Sequence, residues 1–271
     1  MNAKPKGIVL YGLGLNTDYE LFHAVENGKQ LEESGFDTKK VHVNELLHGE
    51  DDLSNYHLLT IPGGFADGDV LGAGKIMAYR IKHGLSDKLQ NFIDDDKLVF
   101  GPCNGFQIMV KMGLLPGFDG DYRTQTVTLA PNDSGRFEDR WVYLEFNNES
   151  PCVFTKGIEE MELGIRHGEG KLITMDKDVL ERLRRNNHVV CWYTDQDGRK
   201  DPGYPFNPNG SVDDIAGICD ETGRVFGLMP HPEAYIHKTN HPRWTRYRDE
   251  DIPQDGIGLK IFRNAFDYLA R

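Results

Sequence analysis

Short β-rich runs alternate with helical stretches along the first half of this 271-residue chain. The predicted order is strand 7–12, helix 19–33, strand 37–43, strand 58–61, helix 75–93, strand 98–100 and a helix from Asn104. This alternation is typical of a mostly parallel sheet that helices cover on both faces. Ligands of such sheets bind at the carboxyl ends of the strands, so we expect functional residues in the loops there.

The second half of the chain predicts an addition to this sheet. Alternating apolar and polar residues at 124–130 and 141–146 indicate antiparallel strands joined to the main sheet. The remaining predicted elements are a helix at 176–186, strands at 189–193, 215–219 and 225–228, and an amphipathic helix after Gly256. The sequence therefore predicts an α/β fold, and the length fits a single domain over residues 1–271.

Charge and hydropathy exclude two kinds of partner. The formal charge is −12 at pH 7, and the basic residues are scattered rather than gathered into a stripe, which argues against nucleic acid. No apolar run approaches the roughly 18–20 residues of a membrane span, and the N-terminal apolar run is too short for a signal peptide. We therefore expect a cytosolic protein without a membrane partner.

The four cysteines lie far apart and form no Cys-x-x-Cys pair, so we expect neither a disulfide framework nor a bound metal. Cys152, Cys191 and Cys219 have apolar neighbours, as expected for small buried thiols. The fourth, Cys103, differs because glycine, proline and asparagine surround it.

Cys103 lies in the sequence Gly-Pro-Cys-Asn-Gly, between a predicted strand and a predicted helix. A strand, a sharp turn and a helix form the context of a nucleophile elbow. Glycines at 101 and 105 relieve crowding around a strained residue, and the N-terminus of the following helix favours a thiolate. The pattern favours a catalytic nucleophile, with a buried structural thiol as the alternative.

A thiol nucleophile needs a base and usually a carboxylate that orients the base. His231 and Glu233 supply both groups two residues apart, directly after a predicted strand. In extended backbone these side chains project to the same side. Taken alone, the segment fits a surface loop better, so its catalytic interpretation depends on Cys103.

Gly63 and Gly64 follow the predicted strand 58–61 and Pro62. Their backbone N–H groups are therefore expected at the carboxyl edge of the sheet, where an oxyanion hole needs donors. An ordinary glycine turn is the alternative.

Several longer segments resemble one family. The segments are GLNTD at 14–18, PGGFADGD at 62–69, GPCNGFQ at 101–107, GLLPG at 113–117, SGRFE at 134–138, RWV at 140–142, HGEG at 167–170, NPNGS at 207–211 and GLMPHPE at 227–233. Together they resemble the glutaminase component of phosphoribosylformylglycinamidine synthase, a class I glutamine amidotransferase of purine biosynthesis. The resemblance covers most of the chain through Glu233, and the segments beyond the cysteine and the His-x-Glu pair point to this family within the class.

The resemblance implies a flavodoxin-like sheet and a role for each matching residue. It implies that Cys103 attacks the side-chain amide of glutamine, that His231 protonates the departing ammonia and that Glu233 orients His231. The remaining implied positions are the backbone N–H groups of Gly64 and Asn104 as oxyanion donors, Gln107 as a residue that helps to hold glutamine, and Arg140 as a candidate for its carboxylate. The charge of Arg140 fits that role, but a surface ion pair explains it equally well.

The resemblance also implies partners. Ammonia is expected to pass to a large synthetase that uses ATP and magnesium, with a small bridging subunit as a further candidate partner. This chain itself has no Gly-x4-Gly-Lys-Ser/Thr phosphate loop, so no cofactor is expected here. Compact bacterial members end sooner, so residues from about 234 to 271 form a C-terminal extension that either docks on the synthetase or packs back on this domain.

Three other interpretations remain open from the residues. Two His-x-Glu units, at 167–169 and 231–233, are a weak metal-site pattern, because the zinc deaminase pattern would need a second cysteine where Phe106 stands. The resemblance implies instead that His167 and Glu169 face the active site or a partner, without defining their role. A different class I glutaminase and a non-catalytic thiol-bearing α/β binding protein also fit these residues.

Overall fold

We describe the protein from a computed structural model, in which residues 4–27, 35–246 and 254–270 are described. The strands there are β1 (Lys6–Tyr11), β2 (Asp37–His42), β3 (Leu58–Thr60), β4 (Leu98–Pro102), β5 (Val127–Pro131), β6 (Glu138–Phe146), β7 (Glu160–His167), β8 (Glu169–Thr174), β9 (Val189–Thr194), β10 (Ile215–Cys219) and β11 (Val225–Leu228). The α-helices are α1 (Asp18–Glu26), α2 (Val43–His48), α3 (Lys75–Asp94), α4 (Asn104–Met112), α5 (Lys177–Arg185) and α6 (Leu259–Leu269). No helix within these ranges is both long enough and apolar enough to cross a membrane.

The main sheet has a parallel half and an antiparallel half. Its strands lie in the order β2-β1-β3-β4-β11-β10-β9-β6-β7. Neighbours from β2 to β11 pair in parallel, whereas neighbours from β11 to β7 pair antiparallel. The predicted fold class, an α/β sheet with helices and added antiparallel strands, is confirmed.

Two apolar layers cover the two faces of this sheet. Successive residues of β1 alternate between them, since Ile8 belongs to one layer and Val9 to the other. The first layer includes residues from α2, α3, α4 and α5, and the second includes residues from α1 and α6. Helices therefore lie on both faces, as a parallel sheet with buried strands requires.

The structure corrects two local predictions. β5, predicted to join the main sheet, pairs instead with β8 in a separate two-stranded sheet. His167 ends β7 and Glu169 begins β8, on either side of Gly168. The first helix ends at Glu26 rather than near residue 33, and residues 28–34 lie outside the described ranges.

The described part of the predicted C-terminal extension packs on this domain. Glu162 of β7 accepts hydrogen bonds from Arg243 at 2.6 and 2.7 Å and lies 3.1 Å from His241 Nε2. The Trp141 ring contacts both His241 and Tyr235. α6 then contributes to the second apolar layer, whereas the extension residues at 247 and 248 lie outside the described ranges.

Candidate active site

Three neighbouring parallel strands bring the predicted site residues together. β4 lies between β3 and β11, and both pair with it in parallel. Gly63 follows β3, Cys103 follows β4 and His231 follows β11. Because parallel strands share one carboxyl edge, the three residues meet there although they are far apart in sequence.

Cys103 occupies a strained turn between β4 and α4. Its backbone lies at φ 50° and ψ −109°, a conformation that costs a non-glycine residue free energy and that clusters at functional sites. Its N–H donates to the carbonyl of Leu228 at 2.8 Å, which fixes the turn to β11. A Cβ at Gly105 would collide with the carbonyl of Ile61, so the turn also requires glycine there. The strand, the turn and the helix place the thiol at the N-terminus of α4, as the sequence predicts.

His231 and Glu233 form a buried pair. Nδ1 of His231 lies 2.5 Å from Oε1 of Glu233, and both side chains are almost fully buried. The expectation of extended backbone is wrong here, because Pro232 begins a 3₁₀ turn, and this turn brings the two side chains together. The N–H of His231 donates to the carbonyl of Gly164 at 2.9 Å, which fixes the histidine to β7.

Electrostatics keep His231 protonated at neutral pH. Burial alone lowers the pKa of His231, but the opposing attraction of Glu233 and of Cys103 is larger and raises this pKa to about 10. Nε2 of His231 is buried and has no hydrogen-bond partner within the described residues. The imidazole therefore has one nitrogen held by a carboxylate and a second nitrogen free for a reacting group.

Gly63 lies between the histidine and the cysteine. A Cβ built at Gly63 would stand 2.9 Å from Cε1 of His231 and 3.4 Å from Cβ of Cys103. Such a Cβ would also stand 3.1 Å from Oγ1 of Thr17, a buried hydroxyl without a partner among the described residues. The close approach of backbone to both site residues explains why glycine is needed here.

Gly64 continues this turn with a free backbone donor. Its φ of 141° suits glycine alone, and a Cβ would collide with the carbonyl of Gly14. Within the described part of the chain, the N–H groups of Gly64 and Asn104 donate no hydrogen bond. Gly64 follows Gly63 and Asn104 follows Cys103 in the chain, so both N–H groups are candidate oxyanion donors.

The two residues predicted to bind substrate, Gln107 and Arg140, lie in different surroundings. Gln107 is 3% exposed, and its amide bonds internally: Oε1 accepts from Asn104 Nδ2 at 2.7 Å, and Nε2 donates to the carbonyl of Glu169. Arg140 lies on β6, where it pairs with Glu138 and donates to the hydroxyl of Tyr204 at 3.0 Å. Its described hydrogen bonds and ion pair do not reach the cysteine, so its role in binding carboxylate stays a prediction, as does that of Gln107.

Arg166 was not predicted from the sequence, yet it borders the site. Its carbonyl lies 3.6 Å from Sγ of Cys103, and its guanidinium donates to Glu20 at 3.3 and 3.5 Å. Burial opposes its charge, but attraction to Glu20, Glu233 and Cys103 outweighs burial and raises its pKa. The alternation of Met161, Leu163 and Ile165 could have indicated strand β7, but not its distance from the cysteine.

His167 lies next to Arg166 but is uncharged. It is 2% exposed, and Nδ1 lies 3.2 Å from Oδ1 of Asn132. Burial and the nearby charge of His231 lower its pKa to about 3, so it is neutral at pH 7. Among the residues that the structure describes, no three His, Cys, Asp or Glu side chains form a group that could hold a metal ion.

Comparisons with known proteins identify the family to which this fold belongs. A family model for the CobB/CobQ-like glutamine amidotransferase domain matches residues 4–269. Phosphoribosylformylglycinamidine synthase subunit PurQ from Dehalococcoides mccartyi is 45% identical over 263 residues, 97% of each chain. The same subunit from Methanococcus maripaludis is 40% identical over 273 residues, 98% of this chain and 97% of that one. A chain in the structure of PurLQS from Thermotoga maritima matches with a TM-score of 0.70 and 32% identity, covering 98% of this chain and 100% of that chain.

The matched domain and the shared fold place the chain among the class I glutamine amidotransferases. Identities of 45% and 40% over nearly the full length identify one family within this class. The chain belongs to the family of glutaminase components of phosphoribosylformylglycinamidine synthase, and it is an enzyme of purine biosynthesis. The family, the enzyme class and the function that the sequence resemblance implied are confirmed.

Proposed function

We propose that Cys103, His231 and Glu233 hydrolyse the side-chain amide of glutamine through a thioester. The proposal is supported chiefly by one observation: Gly63 is flanked by Cys103 and His231, and His231 is held by Glu233 at 2.5 Å. A nucleophile, a base and an orienting carboxylate in this order form the arrangement that activates a thiol.

The chemistry follows from the charges in the site. The Cys103 thiolate attacks the amide carbon, and the oxygen that becomes negative accepts hydrogen bonds from the N–H groups of Gly64 and Asn104. His231 gives its Nε2 proton to the nitrogen, the carbon–nitrogen bond breaks, and ammonia leaves a thioester. Neutral His231 then takes a proton from water, whose oxygen attacks the thioester, so that glutamate leaves and the thiol is restored. Glu233 stabilises the imidazolium whenever His231 carries the proton.

The destination of the ammonia is proposed from the relatives. The Thermotoga maritima relative was solved within PurLQS, so we propose that this chain works with a large synthetase and a small bridging subunit. ATP and magnesium are proposed to bind the synthetase, because this chain has no phosphate loop. A cytosolic location is proposed with this role.

The proposal is tested by mass spectrometry and by product assays. The purified chain, alone and with the synthetase, is mixed with glutamine, quenched in acid and digested. We expect a glutamyl thioester on the peptide that carries Cys103, and glutamine-dependent amidine formation in the assembled complex. Turnover of glutamine without any adduct on Cys103 would contradict the mechanism, and no turnover in the assembled complex would contradict the function.

Gly64 offers a separate test of the oxyanion donors. We expect Gly64→Ala to lower glutamine turnover in the complex by about 10²–10³-fold, the usual loss when one donor moves away. The cause is steric, since the new Cβ collides with the carbonyl of Gly14 and must displace the turn.

The matched control is Gly49→Ala. Gly49 also has a positive φ, 76°, but open space around it, so the control tests a positive-φ glycine at which a new Cβ meets no neighbour. Its turnover is expected to match that of the unmodified chain. Equal losses in both variants, or full turnover in Gly64→Ala, would contradict the assignment of the donor.

A further inference from the structure

The segment at 65–74 connects Gly64 to helix α3 through one short 3₁₀ turn, Ala66–Asp69, in which the φ/ψ angles of Asp67 and Gly68 are not helical. Asp67, Gly68, Asp69, Gly72 and Gly74 all have positive φ. A segment of this kind lacks the repeating hydrogen bonds of a helix or strand, so its position depends on individual anchors. The anchors nearest to Gly64 decide where its N–H group points.

One side of the segment is anchored to the loop after β1. The N–H of Phe65 donates to the carbonyl of Gly14 at 2.7 Å, and the N–H of Asp67 donates to the carbonyl of Leu13 at 2.9 Å. These bonds hold the segment to the sheet. They do not connect it to the nucleophile elbow.

The side chain of Asn104 makes that second connection. It is fully buried, and its Oδ1 accepts a hydrogen bond from the N–H of Ala66 at 3.0 Å. Its Nδ2 donates to Oδ1 of Asp69 at 3.3 Å and to Oε1 of Gln107 at 2.7 Å. Because Ala66 supplies a donor and Asp69 an acceptor, only one orientation of the carboxamide satisfies both.

Asp69 extends this connection to the far end of the segment. Its Oδ1 also accepts from the N–H of Gly74 at 3.1 Å, which ties the far end of the segment to the same contact. Asn104 therefore holds the segment at Ala66 directly and at Gly74 through Asp69. Its own backbone N–H is the second proposed oxyanion donor.

We propose that the Asn104 side chain is a positioning residue that sets the separation between the two oxyanion donors. The backbone of Asn104 supplies one donor, and its carboxamide fixes the segment that carries the other, at Gly64. This inference rests on the proposed glutaminase mechanism. It assigns to the side chain a role in turnover that is separate from the reactivity of the thiol.

Two reactions of the same thiol distinguish this role. Hydrolysis of glutamine passes through an oxyanion and needs both donors. Alkylation by iodoacetamide forms a sulfur–carbon bond and expels iodide from a saturated carbon, so no oxyanion develops. A misplaced donor should therefore slow the first reaction and leave the second unchanged.

The variant is Asn104→Asp, measured in the assembled complex for turnover and alkylation. The new carboxylate can still accept from Ala66, but it repels Asp69 and cannot donate to Gln107. We expect kcat for glutamine to fall by about 10–10²-fold, the effect of a displacement of about 1 Å, while KM stays within a few-fold. The added carboxylate beside Cys103 also disfavours the thiolate, so alkylation is followed against pH: its plateau rate should stay within about twofold of the parent, and kcat should fall by more than the fraction of thiolate that is lost.

A second substitution tests the contact itself. Asp69→Asn in the Asn104→Asp background removes one of two facing negative charges and supplies an N–H to the other, so part of the lost turnover should return. The control is Asn91→Asp, the same change at an exposed position of α3, which should leave both rates unchanged.

Each outcome bears on one of the two proposals. Unchanged turnover in Asn104→Asp overturns the positioning role. A parallel loss of turnover and alkylation, without recovery in the double variant, overturns it as well and indicates a general effect on folding. Failure of the parent complex to hydrolyse glutamine overturns the mechanism on which the inference rests.

Discussion

Replacing Cys103 by serine is expected to abolish glutamine-dependent amidine formation and to leave ammonia-dependent formation intact. A serine hydroxyl ionises far less readily than a thiol, so serine cannot replace the thiolate that the proposed mechanism uses as its nucleophile. Loss of a nucleophile of this kind costs on the order of 10⁴–10⁶-fold in turnover. The measurement is amidine formation by the assembled complex, with glutamine or with an ammonium salt as nitrogen source.

Amidine formation with the ammonium salt distinguishes a loss of catalysis at Cys103 from a loss of folding or of complex assembly. If Cys103→Ser only disturbed folding or docking, both nitrogen sources would fail together. Cys152→Ser is the matched control, since Cys152 is also buried but lies in the apolar layer on the face of α1 and α6. Retention of glutamine-dependent turnover in Cys103→Ser would contradict the thioester mechanism, whereas a loss of both activities would contradict a purely catalytic role.

The fold was largely predictable because hydrophobic patterning reports strands and helices locally. Both strands of the β10–β11 pair were predicted with the observed bounds, since each is a short apolar run between turn residues. The partner of a strand is not local information. β5 shows this limit, because its alternation predicted a strand correctly but did not indicate that it pairs with β8. β7 was missed although Met161, Leu163 and Ile165 alternate with Glu162 and Gly164, because a glycine inside a short run weakens the strand pattern.

The candidate site was predictable to the extent that sequence motifs lie at strand ends. Gly63, Cys103 and His231 each follow an apolar run, so the fold class alone brought them to one edge of the sheet. Contacts between distant loops could not be predicted in this way. The anchors of Asn104 to Ala66 and Asp69 depend on the left-handed turns of segment 65–74, and no local pattern reports those dihedral angles.

Glu233→Gln is expected to lower glutamine turnover by about 10³–10⁴-fold, the loss found when an orienting carboxylate becomes an amide. The amide has nearly the same shape, so the pair with His231 can persist, but the negative charge is lost. Burial lowers the pKa of His231 and attraction to Glu233 opposes it. Removal of this attraction should therefore lower the pKa of His231 from about 10.

The direction of the pH effect follows from that change. Departing ammonia needs the His231 proton, which is lost as the pH rises through the pKa of about 10. In Glu233→Gln the alkaline limb of kcat should move to lower pH. The pKa of folded His231 lies above its unfolded value of about 6.5, so its contribution to stability is complete below that pH and is lost towards pH 10. The variant should lose stability mainly at neutral and lower pH.

The measurements are pH profiles of kcat and of the melting temperature, with Glu149→Gln as the control at an exposed position. A loss of turnover without any shift of the alkaline limb would mean that Glu233 orients the imidazole but does not set its charge. A shift without the large loss would mean that packing around the buried ring of His231 keeps its orientation without the carboxylate. Both effects together are expected only if the carboxylate orients the ring and also stabilises its charge, because a buried imidazolium needs its counter-ion 2.5 Å away.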